Sequence, residues 1–261
     1  MHGEEMELNE VKAIITGAGS GMGRTFAIEL ARAGAQVVAA DINEDGLAET
    51  VSAGTGLSGS ISAATANVAE EQSVKDLIAG AWETMSGLNV LVNNAGIFRD
   101  GMLVKVDRES GKVARTMSLG QWQQVIDVDL TGPFLCTREF AAACIDGGVA
   151  DAVVINISSV SRHGNPGQGN YSAAKAGLVA DTKLWAQELS RYGIRTGAIA
   201  PGFVRTPILE GMRPEVLEKM LKAVPLRRAA EPEEIFAGLR FIIECGFFTG
   251  RCIDIDGGMS V

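Results

Sequence analysis

Histidine is nearly absent from this sequence: only His2 and His163 occur in 261 residues. A Ser-His-Asp triad or a histidine-built metal centre is thereby close to excluded, so no metal is expected and acid–base chemistry must use other side chains. Cysteine is scarce as well. Cys136, Cys144, Cys245 and Cys252 show no CxxC spacing and read as reduced, packed thiols. No run of about 18 apolar residues exists, which removes a membrane-spanning helix. The long charge-free stretch at 51–69 is full of Gly, Ser, Thr and Asn. The start, MHGEEMELNE, is acidic and lacks an apolar core, unlike a secretory signal or a transit peptide, so the expected location is cytoplasmic. Basic charge is also in deficit, with 23 Lys plus Arg against 32 Asp plus Glu and a net charge of −9. Such a chain repels phosphate backbones and anionic lipid, and neither nucleic acid nor a membrane is an expected partner.

What is present fits a soluble globular protein: 46% hydrophobic and 21% charged residues exclude general disorder. Short apolar runs alternate with helix-patterned segments from end to end. The strands expected are Val11–Thr16, Gln36–Ala40, Ser60–Ala66, Asn89–Asn93, Ala152–Ser158, Ile194–Ala200 and Cys252–Asp256. The helices expected are Met22–Ala33, Glu44–Ala53, Glu70–Ser86, Leu119–Ile145, Tyr171–Tyr192 and Glu231–Glu244. This alternation implies an α/β fold, a doubly wound parallel sheet of about seven strands with helices on both faces. No linker-like break or internal repeat is visible, so residues 1–261 are expected to form a single domain.

Two segments depart from the alternation. Leu103–Met117 alternates apolar and polar residues around Glu109-Ser110-Gly111, the pattern of a small hairpin inserted at 103–117. Phe203–Val224 carries Ile208, Leu209, Met212, Leu217, Met220 and Leu221 after a Pro-Gly. It reads equally as a lid over an apolar ligand at 203–224 or as a packed surface helix.

The first strand ends in Thr16-Gly17-Ala18-Gly19-Ser20-Gly21-Met22-Gly23 and runs into a helix. Glycines there let the backbone turn sharply and approach a pyrophosphate seated on the helix N-terminus. Gly17, Gly21 and Gly23 spell TGxxxGxG rather than GxGxxG. The second strand ends at Asp41, whose carboxylate suits adenosine ribose hydroxyls and repels a 2′-phosphate. Ser20 in the turn and Ile42-Asn43 at the strand end bring no Arg or Lys to hold that phosphate, which favours NAD(H) over NADP(H). Asn67-Val68 and Asn93-Asn94-Ala95-Gly96 follow the third and fourth strands, at the sheet edge where such folds bind ligands. Tyr171 and Lys175 share a helix face at i, i+4. A free phenol titrates near pH 10, and an adjacent ammonium lowers that value toward a useful range. Ser158 and Ser159 supply a neutral hydroxyl close by in sequence.

Taken together, TGxxxGxG, NNAG, the YxxxK pair, Pro201-Gly202-Phe203-Val204-Arg205-Thr206 and the C-terminal Thr249–Gly258 stretch resemble the short-chain dehydrogenase/reductases over nearly the whole chain. The nearest resemblance is to 3-oxoacyl-carrier-protein reductases and their catabolic relatives. It implies a Rossmann-type enzyme moving a hydride between NAD(H) and a carbinol carbon. Tyr171 would be the general acid in reduction and the base in oxidation. Lys175 would bind the nicotinamide ribose and lower the tyrosine pKa; a serine would hydrogen-bond the reacting oxygen. Pro201, Gly202, Val204 and Thr206 would line the nicotinamide end, with Val204 and Thr206 seating the carboxamide. The family usually has a catalytic asparagine where this chain has Asp129, which tends to raise the lysine pKa. Ser159 lies 12 residues before Tyr171, one fewer than the family's usual spacing. Strand register favours Ser159 over Ser158 as the catalytic serine, because a loop loses a residue more cheaply than a strand slips.

A 3-oxoacyl thioester reductase or 3-hydroxyacyl dehydrogenase is the first expectation, with Asp41 leaning toward oxidation. A polyol, sugar or steroid dehydrogenase is the runner-up, and a non-catalytic dinucleotide-binding sensor the reading from another class. The substrate partner is accordingly a small molecule or an acyl thioester. His163 reads as a solvated loop residue, Trp122 and Trp185 as packing residues. The family also implies a homotetramer.

Overall fold

The structure, a computed structural model, describes residues 6–259 apart from the side chains of Ile208 and Glu210. Residues 1–5 of the acidic start and the Ile208 side chain therefore lie outside the described residues. Seven parallel strands form one sheet: β1 (Lys12–Thr16), β2 (Gln36–Asp41), β3 (Ser60–Thr65), β4 (Val90–Asn93), β7 (Ala152–Ile157), β8 (Ile194–Pro201) and β9 (Arg251–Ile255). Their order is β3-β2-β1-β4-β7-β8-β9. Two short antiparallel strands, β5 (Val104–Val106) and β6 (Val113–Thr116), form the separate hairpin.

Because strand side chains alternate faces, each central strand supplies both layers of core. Ala13 and Ile15 of β1 join the cluster under helices α1 (Gly21–Arg32) and α9 (Pro232–Glu244), through Phe26, Leu30, Leu239 and Ile242. Ile14 between them joins the cluster under α3 (Glu71–Met85) and α5 (Gly132–Asp146), through Leu77, Ile78, Leu135 and Phe140. Helix α2 (Glu44–Ala53) adds Leu47 to the first layer. Chain order reverses between β1 and β4, so their carboxyl ends open a crevice at a topological switch point, the usual ligand position in this architecture.

The expected helix Leu119–Ile145 is broken. It begins as α4 (Leu119–Ile126), widens into a π segment over Asp127–Thr131 and continues as α5. The Gly132 N–H reaches back to the Asp127 carbonyl, while Pro133, next in line, has no N–H to offer. The fifth expected helix starts two residues early, as α6 (Gly169–Leu189), and ends in a 3₁₀ turn at Ser190–Tyr192. The Phe203–Val224 segment forms α7 (Pro207–Glu210) and α8 (Pro214–Leu221), and α8 has no buried residue. Trp185 is buried as expected. Trp122 is not: it is 38% exposed, because α4 leaves most of its surface uncovered.

Arg195 of β8 closes the far end of α9. Its guanidinium is buried and donates to the carbonyl oxygens of Ile242 at 2.8 Å, Ile243 at 2.9 Å and Cys245 at 3.2 Å. These are helix-terminal acceptors with no partner inside the helix. Arg195→Met should leave the Ile242 and Ile243 carbonyls buried and unsatisfied, while Cys245 keeps the Phe248 N–H, at a cost of about 3 kcal/mol. Urea unfolding should show a lower midpoint with an unchanged slope; a midpoint equal to wild type would rule out this anchoring role.

Candidate active site

The β1–α1 turn is built for close approach. Gly17 and Gly21 have φ of +68° and +53°, conformations that favour glycine. A Cβ on Gly23 would sit 2.3 Å from the Gly17 carbonyl oxygen. The Asn94 side-chain amide ties this turn to β4 by donating to the Thr16 and Gly17 carbonyls at 3.0 and 3.2 Å. Ser20 precedes α1 in extended conformation without capping it, so the first-turn N–H groups of α1 stay free to receive an anion. Asp41 closes the other side, accepting from the Gly19 N–H at 2.9 Å and the Asn43 N–H at 3.0 Å.

A cation does lie behind this turn, one the sequence reading overlooked. Arg24 of α1 donates to the Gly19 carbonyl, the Gly46 carbonyl and Thr50 Oγ1, and pairs with Glu49 at 2.7 Å. Its Nε and Nη2 are engaged by the turn and by α2.

The catalytic candidates meet at the opposite wall. Tyr171 and Lys175 project from the first turns of α6, and both are buried. Lys175 Nζ donates to the Ile157 carbonyl at 3.0 Å, stands 3.1 Å from Asp129 Oδ2 and lies 5.4 Å from the centre of the Tyr171 ring. Asp129 is completely buried in the π segment and accepts from the Ile97 N–H at 2.9 Å. Gly96 makes room for the pair, since a Cβ there would fall 2.8 Å from Asp129 Oδ2. The two serines divide their work. Ser158 Oγ donates to the Lys175 carbonyl at 2.9 Å and so fastens α6 to β7. Ser159 caps the next 3₁₀ turn by accepting from the Ser161 N–H at 3.1 Å, and it is the serine whose hydroxyl lowers the Tyr171 pKa.

Electrostatics here differ from the expectation in one respect. Burial raises the Tyr171 pKa above that of a free phenol; Lys175 and Ser159 pull it down, and Asp129 pushes it up. The net direction is upward, because desolvating a phenolate outweighs one ammonium that already has a carboxylate partner. Burial alone would lower Lys175, yet Asp129 and Tyr171 hold it above its ordinary value and it stays charged. Asp129 is itself raised by burial, against the pull of Lys175 and the Ile97 N–H.

A cleft of about 450 Å³ joins both walls. Gly17, Ser20, Gly21, Met22, Asp41, Asn94, Ala95, Gly96, Ser159, Tyr171, Lys175, Pro201, Gly202, Val204 and Thr206 line it. Other expected residues stand off its wall. Asp129 lies behind Lys175, and Gly23 packs beneath the turn. Ile42 points to solvent at 70% exposure. Asn67 is occupied by its own turn, bonding Ala69 and Glu70, and Val68 is buried beside Gly132. His163 is exposed and off the cleft. Sequence reasoning did not find Phe98, whose ring packs 4.6 Å from that of Tyr171, nor Val160, Asn165 and Gln168 on the same wall. None carries a spacing signal. Leu209, Met212 and Met220, from the segment read as a lid, complete the lining.

A glycine cradle with free helix N–H groups, facing a buried Tyr-Lys pair across one crevice, fits a nicotinamide dinucleotide. A family model described as "Enoyl-(Acyl carrier protein) reductase" matches residues 17–260. The chain belongs to the short-chain dehydrogenase/reductase family. It is 36% identical to 3-oxoacyl-[acyl-carrier-protein] reductase FabG of Thermotoga maritima, covering 98% of this chain and 100% of the relative. It is 34% identical to the human (3R)-3-hydroxyacyl-CoA dehydrogenase, covering 97% and 96% of the two chains. Its fold matches the crystal structure of levodione reductase with a TM-score of 0.83 at 28% identity, covering 95% and 97% of the two chains. The protein is thus an oxidoreductase of this family that uses a nicotinamide dinucleotide.

Replacing Asp129 by Asn removes a carboxylate that raises both Tyr171 and Lys175. The limb of the pH–rate profile that reports phenolate formation should therefore move to lower pH, with most turnover kept. Asp129→Leu should be far less active. If Asp129 merely supports the helix, both variants will lose thermal stability while the pH dependence of kcat stays where it was.

Proposed function

We propose that the protein interconverts 3-hydroxyacyl and 3-oxoacyl thioesters with NAD(H). The observation that carries this reading is the make-up of the cleft: a Ser159-Tyr171-Lys175 group beside a wall of Phe98, Phe203, Leu209, Met212 and Met220. A wall of that kind receives an acyl chain and gives the hydroxyls of a polyol or sugar few partners. The curated relatives named for 3-oxoacyl-carrier-protein reduction and 3-hydroxyacyl-CoA dehydrogenation support it. The family model's description names an enoyl group, whereas a hydroxyl and a phenol aimed at one point suit an oxygen at the reacting carbon.

In this mechanism Ser159 hydrogen-bonds the substrate oxygen and fixes it against Tyr171. Tyr171 gives its proton to that oxygen in reduction and takes it back in oxidation. Its raised pKa keeps the phenol protonated, which suits the donor role in reduction. Lys175 stabilises the phenolate left behind. Asp129 keeps that ammonium charged and in place. Gly17, Gly21 and the α1 N-terminus would hold the pyrophosphate, Asp41 the adenosine ribose, Lys175 the nicotinamide ribose, and Val204 with Thr206 the carboxamide. When bound, the nicotinamide would supply or accept the hydride.

Asp41 supports NAD(H), since a 2′-phosphate would meet its carboxylate while Arg24 is held by Glu49. The test is a panel of 3-oxoacyl thioesters, steroids and sugars assayed with NADH and NADPH. Thioester reduction should dominate, NADH should bind about tenfold tighter than NADPH, and Tyr171→Phe should lose several orders of magnitude in turnover while still binding cofactor. Steroid turnover without thioester turnover, or tighter NADPH binding, would refute the corresponding half.

The assembly we infer is a homotetramer. Leu119, Phe134, Ile145 and Leu184 expose 78%, 44%, 39% and 48% of their surface on α4, α5 and α6, and Ala142, the exposed member of Ala141–Ala143, allows close helix approach. Isologous packing of these helices buries that surface. Light scattering at micromolar concentration should give four times the 27.4 kDa chain mass; a monomer mass would contradict the inference.

A further inference from the structure

Every residue of both strands of the β5–β6 hairpin is exposed. Leu103, Val104, Val106 and Val113 are 79%, 46%, 51% and 62% exposed, so it adds little to the core. Its charge is also out of character. In a chain of net −9, residues 103–117 carry Lys105, Arg108, Lys112 and Arg115 against Asp107 and Glu109. Among the described residues none of these four cations forms an ion pair. Asp107 instead turns inward to accept from the Ser110 N–H and hydroxyl, both at 2.8 Å, and shapes the tip. Lys105 and Arg115 stand directly opposite one another in the ladder, on one face and with Cβ atoms about 5 Å apart, an arrangement that repels unless an anion sits between them. That like-charge pair on an exposed insertion is a cost that the contact of Arg115 with Gln121 does not remove.

The hairpin is also anchored to the cleft mouth. Gly101, at its root, donates its N–H to the Gly167 carbonyl at 2.8 Å and bridges to Gln168, a residue of the cleft wall. Asp100 accepts from the Gln168 amide at 3.2 Å. Arg115 reaches the Gln121 side chain at 3.2 Å, and that same side chain lies over Gly101. The root of the hairpin is thus tied to the cleft wall at Gln168, so that its cationic face can hold the far end of a ligand whose reactive end is inside.

We propose that this hairpin binds the phosphorylated nucleotide end of a coenzyme A thioester while the acyl group occupies the cleft. The proposal rests on the thioester reading above. The pantetheine arm spans from Ser159 and Tyr171 past Gln168, and the phosphates neutralise the Lys105–Arg115 pair. A point-like phosphate matches two facing cations better than the broad acidic surface of a carrier protein, because only two of the four cations share an established face. Exposed pairs of this kind act mainly through charge and are weakened by salt.

The experiment compares acetoacetyl-CoA with the acetoacetyl thioester of N-acetylcysteamine, which lacks every phosphate, in wild type, K105Q/R115Q and K105E/R115E. Free coenzyme A and pantetheine are titrated calorimetrically into the same three proteins. The KM for acetoacetyl-CoA should rise stepwise, by about tenfold or more in the reversed variant, with kcat unchanged. The truncated thioester should not respond, which also shows that the variants are folded. Wild type should bind coenzyme A more tightly than pantetheine, and the reversed variant should lose that preference. An unchanged KM ratio, or equal binding of coenzyme A by all three proteins, overturns the proposal. A rise in KM confined to acyl-carrier-protein substrate overturns it in favour of a protein partner. Wild type that binds coenzyme A through the hairpin yet turns over neither thioester leaves the docking site standing and refutes only the catalytic reading.

Discussion

A lysine with 3% of its side chain exposed has to be answered by the protein around it, and most of the cleft is organised by that requirement. Isolated burial of an ammonium is expensive enough that the group would give up its proton. Asp129 supplies the countercharge and the Ile157 carbonyl supplies a directed acceptor. Each provider imposes a constraint of its own. Asp129 must come from a helix that faces the strand ends, which the π segment achieves, and Gly96 must be bare for the carboxylate to fit. Ile157 must end its strand at the right height, which Ser158 secures by clamping β7 to the α6 backbone. A buried ion pair is seldom a source of net stability compared with apolar packing. Its presence under a phenol is better understood as fixing the position and charge of Lys175.

Behind that pair runs a second polar layer that keeps the two walls in register. Asn93 at the end of β4 donates to Thr137 of α5 at 3.1 Å and to Asn156 of β7 at 2.8 Å. Asn156 passes on to Thr182 of α6 at 2.8 Å, and Thr196 of β8 bonds the Thr182 carbonyl at 2.6 Å. These groups are buried, so each missing partner would expose a costly vacancy in bonding. The network links three neighbouring strands to the helices that carry Asp129 and Lys175. A shift of α6 along the sheet would therefore break several bonds together, which is why the phenol and the ammonium hold their place relative to the Gly17 turn.

Much of this was legible in the sequence because it depends on local pattern. Strand positions, the glycine turn before α1 and the hairpin at 103–117 all follow from alternation and turn chemistry. The failures share a different origin. The π segment left only Pro133 as a trace, since a one-residue widening of a helix hardly alters its apolar period. Tyr171 was expected below the free-phenol value from its lysine neighbour; burial, a property of the whole fold, sends it the other way. Arg24 escaped notice because its contacts at Glu49 and Thr50 come from the next helix. Asn67 and Ile42 follow strand ends, as ligand residues do, yet one is consumed by its own turn and the other faces solvent.

The division between what the sheet fixes and what it leaves free also separates chemistry from specificity. Ser159, Tyr171, Lys175 and the Gly17 turn sit on strand ends or first helical turns, where the parallel ladder fixes their position. Of the two segments outside the strand–helix alternation, 103–117 is rooted beside the opening through Gly101 and Gln168, and 203–224 lines it. One offers cations and exposed valines, the other leucine and methionine, and neither is held by the main sheet. Methionine adapts its shape to what it touches, and an uncovered hairpin can change its sequence with little effect on the core. Relatives of this fold can thus keep one reaction while exchanging substrates, because the residues that recognise the rest of the molecule lie where folding places the weakest demands.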